Sequence, residues 1–252
     1  MKPVNLHIIG VQKAGTTALA SFLQQHPSVY VVEGKEAHIF DHPEYSAQAA
    51  PQDFARRQYQ RRMQNYQGQP IICDATPITV YQPTFLRACY HYNPQAKFIL
   101  ILRDPVERAI SHYLMSKRTG QESRNMLSAF VLEPLRLAIA ARRNGWAFNS
   151  PLRTQSYLHR GLYRKQLQFL YNLIPATQVL VLRQQELKHA HQQTLLKIFS
   201  FLDIHRHPIA PETVFAAPES PPGWLDRLAR RYARLYFRLR GESDIHWLPP
   251  GS

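Results

Sequence analysis

The sequence predicts an α/β fold: a single domain with a central, mostly parallel β-sheet flanked by helices and a P-loop-like phosphate-binding turn. Three features carry that prediction. Short apolar runs of strand length alternate with stretches of helix length, the pattern of βαβ units. The first run leads through a glycine turn straight into a helix. The 252 residues, 44% hydrophobic and 19% charged, supply a core of the size such a domain needs.

Leu6–Val11 is the first strand, and residues 12–17 form the turn. The following helix, Thr17–Gln25, sets Leu19, Phe22 and Leu23 on one face and stops at His26-Pro27. Val29–Val32 is the second strand. Residues 41–69 are polar and rich in Gln and Arg, and read as a loop plus a solvated helix. Ile71–Asp74 is the third strand, Phe85–Tyr92 a helix, and Lys97–Leu102 the clearest strand of all. Pro105–Ser116 is a helix with proline in its first turn. Helical pattern returns at Leu127–Arg143 and Leu162–Leu173; Gln178–Leu182 is the last strand, and Thr194–Leu202 a helix. Residues 207–252 hold a Pro-rich stretch, His207–Gly223, and a basic helix, Trp224–Arg240. Leu225, Leu228, Tyr232, Leu235, Tyr236 and Leu239 recur there at helical spacing. Such a helix suits an acidic membrane or a polyanion, and more often it packs with a solvated basic face. No linker divides the chain, so 1–252 reads as one domain.

The 31 Lys and Arg outnumber 17 Asp and Glu, a net charge of +14 that draws anionic partners. Two cysteines, Cys73 and Cys89, cannot build a disulfide framework or a four-cysteine zinc site, and read as small buried apolar groups. His38 and His42 lie four apart but lack a third ligand, so no metal is expected. No apolar run is long enough to span a membrane, and no secretory leader is visible, which makes a cytoplasmic location the expectation. No RNA-recognition or helix-turn-helix signature points to nucleic acid.

The chemistry concentrates in three segments. In "GVQKAGTTAL", Gly10 to Leu19, a strand feeds a helix through Gly15, so backbone N–H groups and the hydroxyls of Thr16 and Thr17 converge on one anion site. The Gly-x4-Gly spacing is that of a nucleotide P-loop, yet Thr16 stands where the triphosphate form needs Lys, and the lysine lies inside the turn as Lys13. In "LRDPVERAISHY", Arg103 ends a strand, where α/β sheets place ligands, and Ser111 lies two turns into the next helix. In "KEAHIF", Lys35, Glu36 and His38 follow the second strand, a carboxylate set among cations.

Together these segments resemble sulfotransferases that use 3′-phosphoadenosine 5′-phosphosulfate (PAPS), and most nearly the heparan-type branch with its bacterial relatives. The resemblance implies that Lys13, Ala14, Gly15, Thr16 and Thr17 hold the 5′-phosphosulfate and that Arg103 and Ser111 hold the 3′-phosphate. It implies Glu36 as catalytic base, Lys13 as stabiliser of the leaving phosphate, Lys35 as added positive charge at the sulfuryl group, and His38 as a group orienting the acceptor. Gly161 and Tyr163 are implied nucleotide contacts, while Leu167 and Phe169 read as core. Asp74, Thr76 and Tyr81 resemble a segment lining the acceptor cleft, or else form a plain Thr-Pro turn. The heparan-type branch closes a cysteine-paired loop over PAPS; this sequence has no cysteine after Cys89. PAPS and a sugar or small-molecule acceptor are the implied partners. Two other readings stay open: a P-loop kinase, and a non-catalytic basic module that binds polyanions.

Overall fold

In the computed structural model, which describes residues 2–143, 145–210 and 223–242, strand β1 (Leu6–Gly10) takes the centre of a five-stranded sheet. Around it lie β2 (Val29–Val31), β3 (Ile71–Asp74), β4 (Lys97–Leu102) and β5 (Val179–Arg183), in the order β2-β3-β1-β4-β5. Every pairing is parallel, with Leu6 opposite Cys73 on one side and Lys97 on the other. The α/β class therefore stands, and the sheet is wholly parallel where mostly parallel was expected. Strands β1 and β4 are buried along almost their whole length because helices cover both faces. That burial explains why they are apolar runs rather than alternating ones.

The described residues group into two compact units. The sheet unit, 2–103 and 168–210, contains β1–β5 with α1 (Thr16–Gln24), α2 (Pro51–Arg61), α3 (Pro83–Tyr92), α9 (Gln184–His189) and α10 (His191–Leu202). The helical unit, 104–167 and 223–242, contains α4 (Pro105–Arg118), α5 (Met126–Val131), α6 (Glu133–Arg143), α7 (Pro151–Thr154) and α11 (Trp224–Leu239). Helix α8 (Tyr163–Leu173) runs through the boundary. Most of the Pro-rich stretch, residues 211–222, lies outside the described residues.

Two sequence expectations need correction. The segment expected as a solvated helix, now α2, buries Phe54, Ala55 and Tyr59. Its polar composition hid a narrow apolar face. In the helical unit, α11 packs as expected but through Ala229, Ala233, Tyr236 and Phe237 onto α4 and α5, so of the predicted stripe only Tyr236 and, in part, Tyr232 meet the core. Small residues let the backbones approach, and Leu228, Leu235 and Leu239 are left exposed.

Gly161 shows the same economy of space. A methyl group on it would stand 2.6 Å from the Phe237 ring and 3.1 Å from Pro105 Cβ. Gly161→Val is expected to destabilise by about 1–3 kcal/mol through overpacking, measured as a lowered thermal midpoint, with Phe237→Leu restoring part of the loss.

His7, the second residue of β1, stacks on Phe98 at 5.6 Å and meets Phe40 edge-on. Burial holds its pKa down, from the ordinary 6.5 to about 3. The unfolded chain therefore binds a proton that the folded chain refuses, so this contribution is intact above pH 6.5 and is lost as pH falls. His7→Phe is expected to flatten the acid limb of a urea-midpoint profile; an unchanged limb would exclude His7 as its source. Both cysteines are unpaired and buried as expected, and burial pushes their thiols up.

Candidate active site

The turn after β1 is tied to β4 by the Val11 N–H, which donates to the Ile101 carbonyl at 2.8 Å. Ala14 N–H then donates to Val11 O at 3.1 Å and closes the turn. Lys13 and Gly15 both take left-handed backbone, with φ 73° and 100°. At Gly15 the conformation is the one glycine favours, and the residue is the N-cap of α1. It offers no side-chain cap, and the first turn of α1 carries no carboxylate. The leading N–H groups of a helix have no acceptor within it. An anion at this terminus would supply one and would meet the positive end of the helix dipole. Thr16 is buried and Thr17 half-buried beside those donors.

The segment after β2 is stitched to the end of β3. Ala75 N–H donates to Lys35 O at 3.0 Å, and Ala37 N–H to Asp74 Oδ1 at 3.2 Å. Asp74 is buried and also accepts from the Thr76 hydroxyl at 2.7 Å and the Tyr59 hydroxyl at 2.7 Å. Burial raises its pKa despite those three donors. Lys35 and His38 hold left-handed φ of 63° and 50°. That backbone costs roughly 1 kcal/mol per residue, offset by the bonds to β3, and it turns Lys35, Glu36 and His38 toward one another.

Lys35 Nζ donates to Thr17 Oγ1 at 2.8 Å and to Glu36 Oε1 at 2.5 Å. One ammonium thus joins the first turn of α1 to the carboxylate. His38 lies between two carboxylates, with Nδ1 2.8 Å from Asp41 Oδ2 and Nε2 3.2 Å from Glu36 Oε2. Burial alone would lower the His38 pKa, but the bonds to Asp41 and Glu36 outweigh it and raise the value to about 9. At neutral pH it is an imidazolium that donates from both nitrogens. Burial would raise Glu36, yet His38 and Lys35 hold its carboxyl below the ordinary range. The cluster therefore presents an ionised carboxylate with its lone pairs directed by two cations.

Arg103, at the end of β4, donates from Nη1 to the Lys13 carbonyl at 3.0 Å. The second motif thereby braces the turn of the first. The sheet unit thus brings together Lys13, Ala14, Gly15, Thr16, Thr17, Lys35, Glu36, His38 and Arg103. Strand β1 lies between β3 and β4, and the chain passes to β2 on one side and to β4 on the other. Ligands of open parallel sheets bind at the carboxyl ends of strands where the winding reverses in this way.

In the helical unit, Asp104 caps α4 by accepting from Glu107 N–H at 2.8 Å, and Ser111 lies half-buried on that helix. Glu133 accepts from the N–H groups of Leu158 and His159 at 2.7 and 2.8 Å and fixes the turn before Gly161. Tyr163 is fully buried, and its N–H donates to Glu242 Oε2 at 3.0 Å. For Gly161 and Tyr163 the visible role is packing. Sequence reasoning gave no role to Asp41 or Tyr59 and left Asp74 and Thr76 between a cleft-lining segment and a plain turn; in the structure Asp74, Thr76 and Asp41 bond to the "KEAHIF" residues, and Tyr59 bonds to Asp74. The buried side of α2, apolar at Phe54, Ala55 and Tyr59, was the available signal.

The sulfotransferase domain family matches residues 3–219. Heparan sulfate glucosamine 3-O-sulfotransferase 3A1 of Mus musculus is 31% identical over 204 residues, covering 79% of this chain and 45% of that protein. The membrane-associated sulfotransferase kil1 of Dictyostelium discoideum is 34% identical over 115 residues, 44% of this chain and 23% of its own. The chain thus spans less than half the length of these relatives. A sulfotransferase structure from Alicyclobacillus acidocaldarius superposes with a TM-score of 0.75 at 24% identity, over 95% of this chain and 93% of that one, a likeness of fold. With the matched span containing the glycine turn, the "KEAHIF" cluster and the strand-end arginine, the chain belongs to the sulfotransferase domain family.

Proposed function

We propose that the chain, working as one domain, transfers a sulfuryl group from PAPS to a hydroxyl or amine of a carbohydrate or small-molecule acceptor. The observation that carries this reading is Lys35, hydrogen-bonded at once to Thr17 of the first turn of α1 and to Glu36. The bridge puts the proposed base one side chain away from the anion site. The residues fit the donor: a helix terminus with neither side-chain cap nor acid, a glycine in left-handed backbone, Lys13 within the turn, and Lys35 bonded to Thr17 of the first helical turn. When bound, PAPS supplies an activated sulfuryl group on a phosphate leaving group.

In this reading the turn residues Lys13, Ala14, Gly15, Thr16 and Thr17 hold the 5′ end, and Lys13 neutralises charge on the leaving phosphate. Arg103 and Ser111 hold the 3′-phosphate, and Gly161 and Tyr163 shape the nucleotide's surroundings; these roles rest on the motif resemblance. Glu36 accepts the acceptor's proton. His38, already donating from both nitrogens, cannot serve as base and instead aims Glu36, with Asp41 aiming His38. Lys35 adds positive charge at the sulfuryl group, and that charge is less offset once Glu36 has taken the proton. No metal enters the scheme. Two buried unpaired cysteines suit a reducing compartment and support a cytoplasmic location.

Saturating 3′-phosphoadenosine 5′-phosphate is expected to raise the thermal midpoint by roughly 5–10 °C, and ATP with Mg2+ to leave it unmoved. Stabilisation by ATP–Mg2+ alone would favour a kinase and refute the proposal.

A further inference from the structure

Helix α11 has a face that the packing of its own unit does not use. Ala229, Ala233, Tyr236 and Phe237 point into the helical unit. On the opposite side Trp224 is 64%, Leu228 40%, Leu235 52% and Leu239 74% exposed. Their spacing of four, seven and four residues sets them on one line along the helix, about 22 Å long. Arg231, Arg234 and Arg238, all exposed, run beside that line. Residues 104–167 and 223–242 carry seventeen Lys and Arg against six Asp and Glu, +11 of the chain's +14.

We propose that this face of α11 lies on the surface of an anionic lipid bilayer. The combination selects the occupant. A polyanionic sugar or nucleic acid would engage the arginines but leave four large apolar side chains in water. A second copy of the helix would set arginine against arginine. An acidic bilayer takes both: leucines and tryptophan enter the boundary between headgroups and acyl chains, and arginines meet lipid phosphates. The helix lies on the membrane rather than in it, since no described helix is long and apolar enough to cross one.

The test sediments the full chain with vesicles of phosphatidylcholine alone or mixed with phosphatidylserine. The mixed vesicles are expected to bind at least about tenfold more tightly, with the difference shrinking in high salt. The variant Leu228→Gln/Leu235→Gln/Leu239→Gln should lose about tenfold or more of that affinity. Arg231→Gln/Arg234→Gln/Arg238→Gln should lose about fivefold per arginine. Both variants should keep the parent's circular dichroism and its midpoint shift with 3′-phosphoadenosine 5′-phosphate. That shift tests the proposed function separately. Equal binding to neutral vesicles, or none to either, would overturn the proposal. So would a leucine variant that binds like the parent, which would mark a purely electrostatic polyanion surface. A concentration-dependent dimer dissolved by the leucine substitutions, without vesicle binding, would assign the face to a second copy and also overturn it.

Discussion

Replacing Glu36 by Gln is expected to lower the turnover of sulfuryl transfer by about a thousandfold, the scale of a lost general base, while 3′-phosphoadenosine 5′-phosphate binds as before. The substitution keeps the shape and removes the proton acceptor. Glu36 is well placed for the role because two cations keep it ionised and oriented, with Lys35 2.5 Å from one oxygen and His38 3.2 Å from the other. The low pKa makes it a weak base, but one present as carboxylate throughout the neutral range. A second signature separates loss of chemistry from loss of structure. His38 owes its raised pKa to Asp41 and Glu36 together, so its titration, followed by NMR, should move down from about 9 in the variant. A group with a raised folded-state pKa stabilises fully below its unfolded value near 6.5 and loses that contribution as pH climbs through about 9. The variant should therefore lose less stability on the alkaline side than the parent. The difference will be small because His38 is partly exposed and its ion pairs are screened. Full turnover in Glu36→Gln would remove it as the base.

Arg103→Ala is expected to weaken binding of 3′-phosphoadenosine 5′-phosphate by about 10–100-fold, the value of one or two charge-assisted hydrogen bonds. A guanidinium carries five donors in one plane, so a single side chain can brace the Lys13 carbonyl and meet a phosphate together. Arg103→Lys should recover only a fraction, because an ammonium is a point charge and cannot span both partners. The brace adds a consequence beyond the lost phosphate contact. Without it the Lys13 backbone, held at φ 73°, loses a support, so turnover with saturating donor should fall as well. Calorimetry and steady-state kinetics on the two variants distinguish these effects. Unchanged affinity in Arg103→Ala would place the 3′-phosphate elsewhere.

Much of the sheet was legible because fully buried parallel strands must be apolar throughout. Lys97–Leu102 and Ile71–Asp74 keep their expected limits for that reason. Helices α7 and α9 were missed, being four and six residues of mostly polar composition with no apolar period to detect. The α11 stripe was right in part: Tyr236 packs, but Leu228, Leu235 and Leu239 stay exposed, because the contact also uses Ala229 and Ala233, which carry little hydropathy signal. Within the site, the glycine turn and Arg103 were readable from local spacing. The support of "KEAHIF" was not. Asp74 is 37 residues from Ala37 and meets it only because β2 pairs with β3. Nor does any residue type announce left-handed backbone at Lys35 and His38, where tertiary bonds override the local preference.

In the proposed function, the turn after β1 and the arginine after β4 hold the two ends of one nucleotide. Calorimetric titration of parent and Arg103→Ala with 3′-phosphoadenosine 5′-phosphate and with 5′-AMP tests it most directly. The parent is expected to prefer the doubly phosphorylated nucleotide strongly, and the variant to bind both with similar, weak affinity. A parent indifferent to the 3′-phosphate, or a variant that keeps the preference, would contradict it.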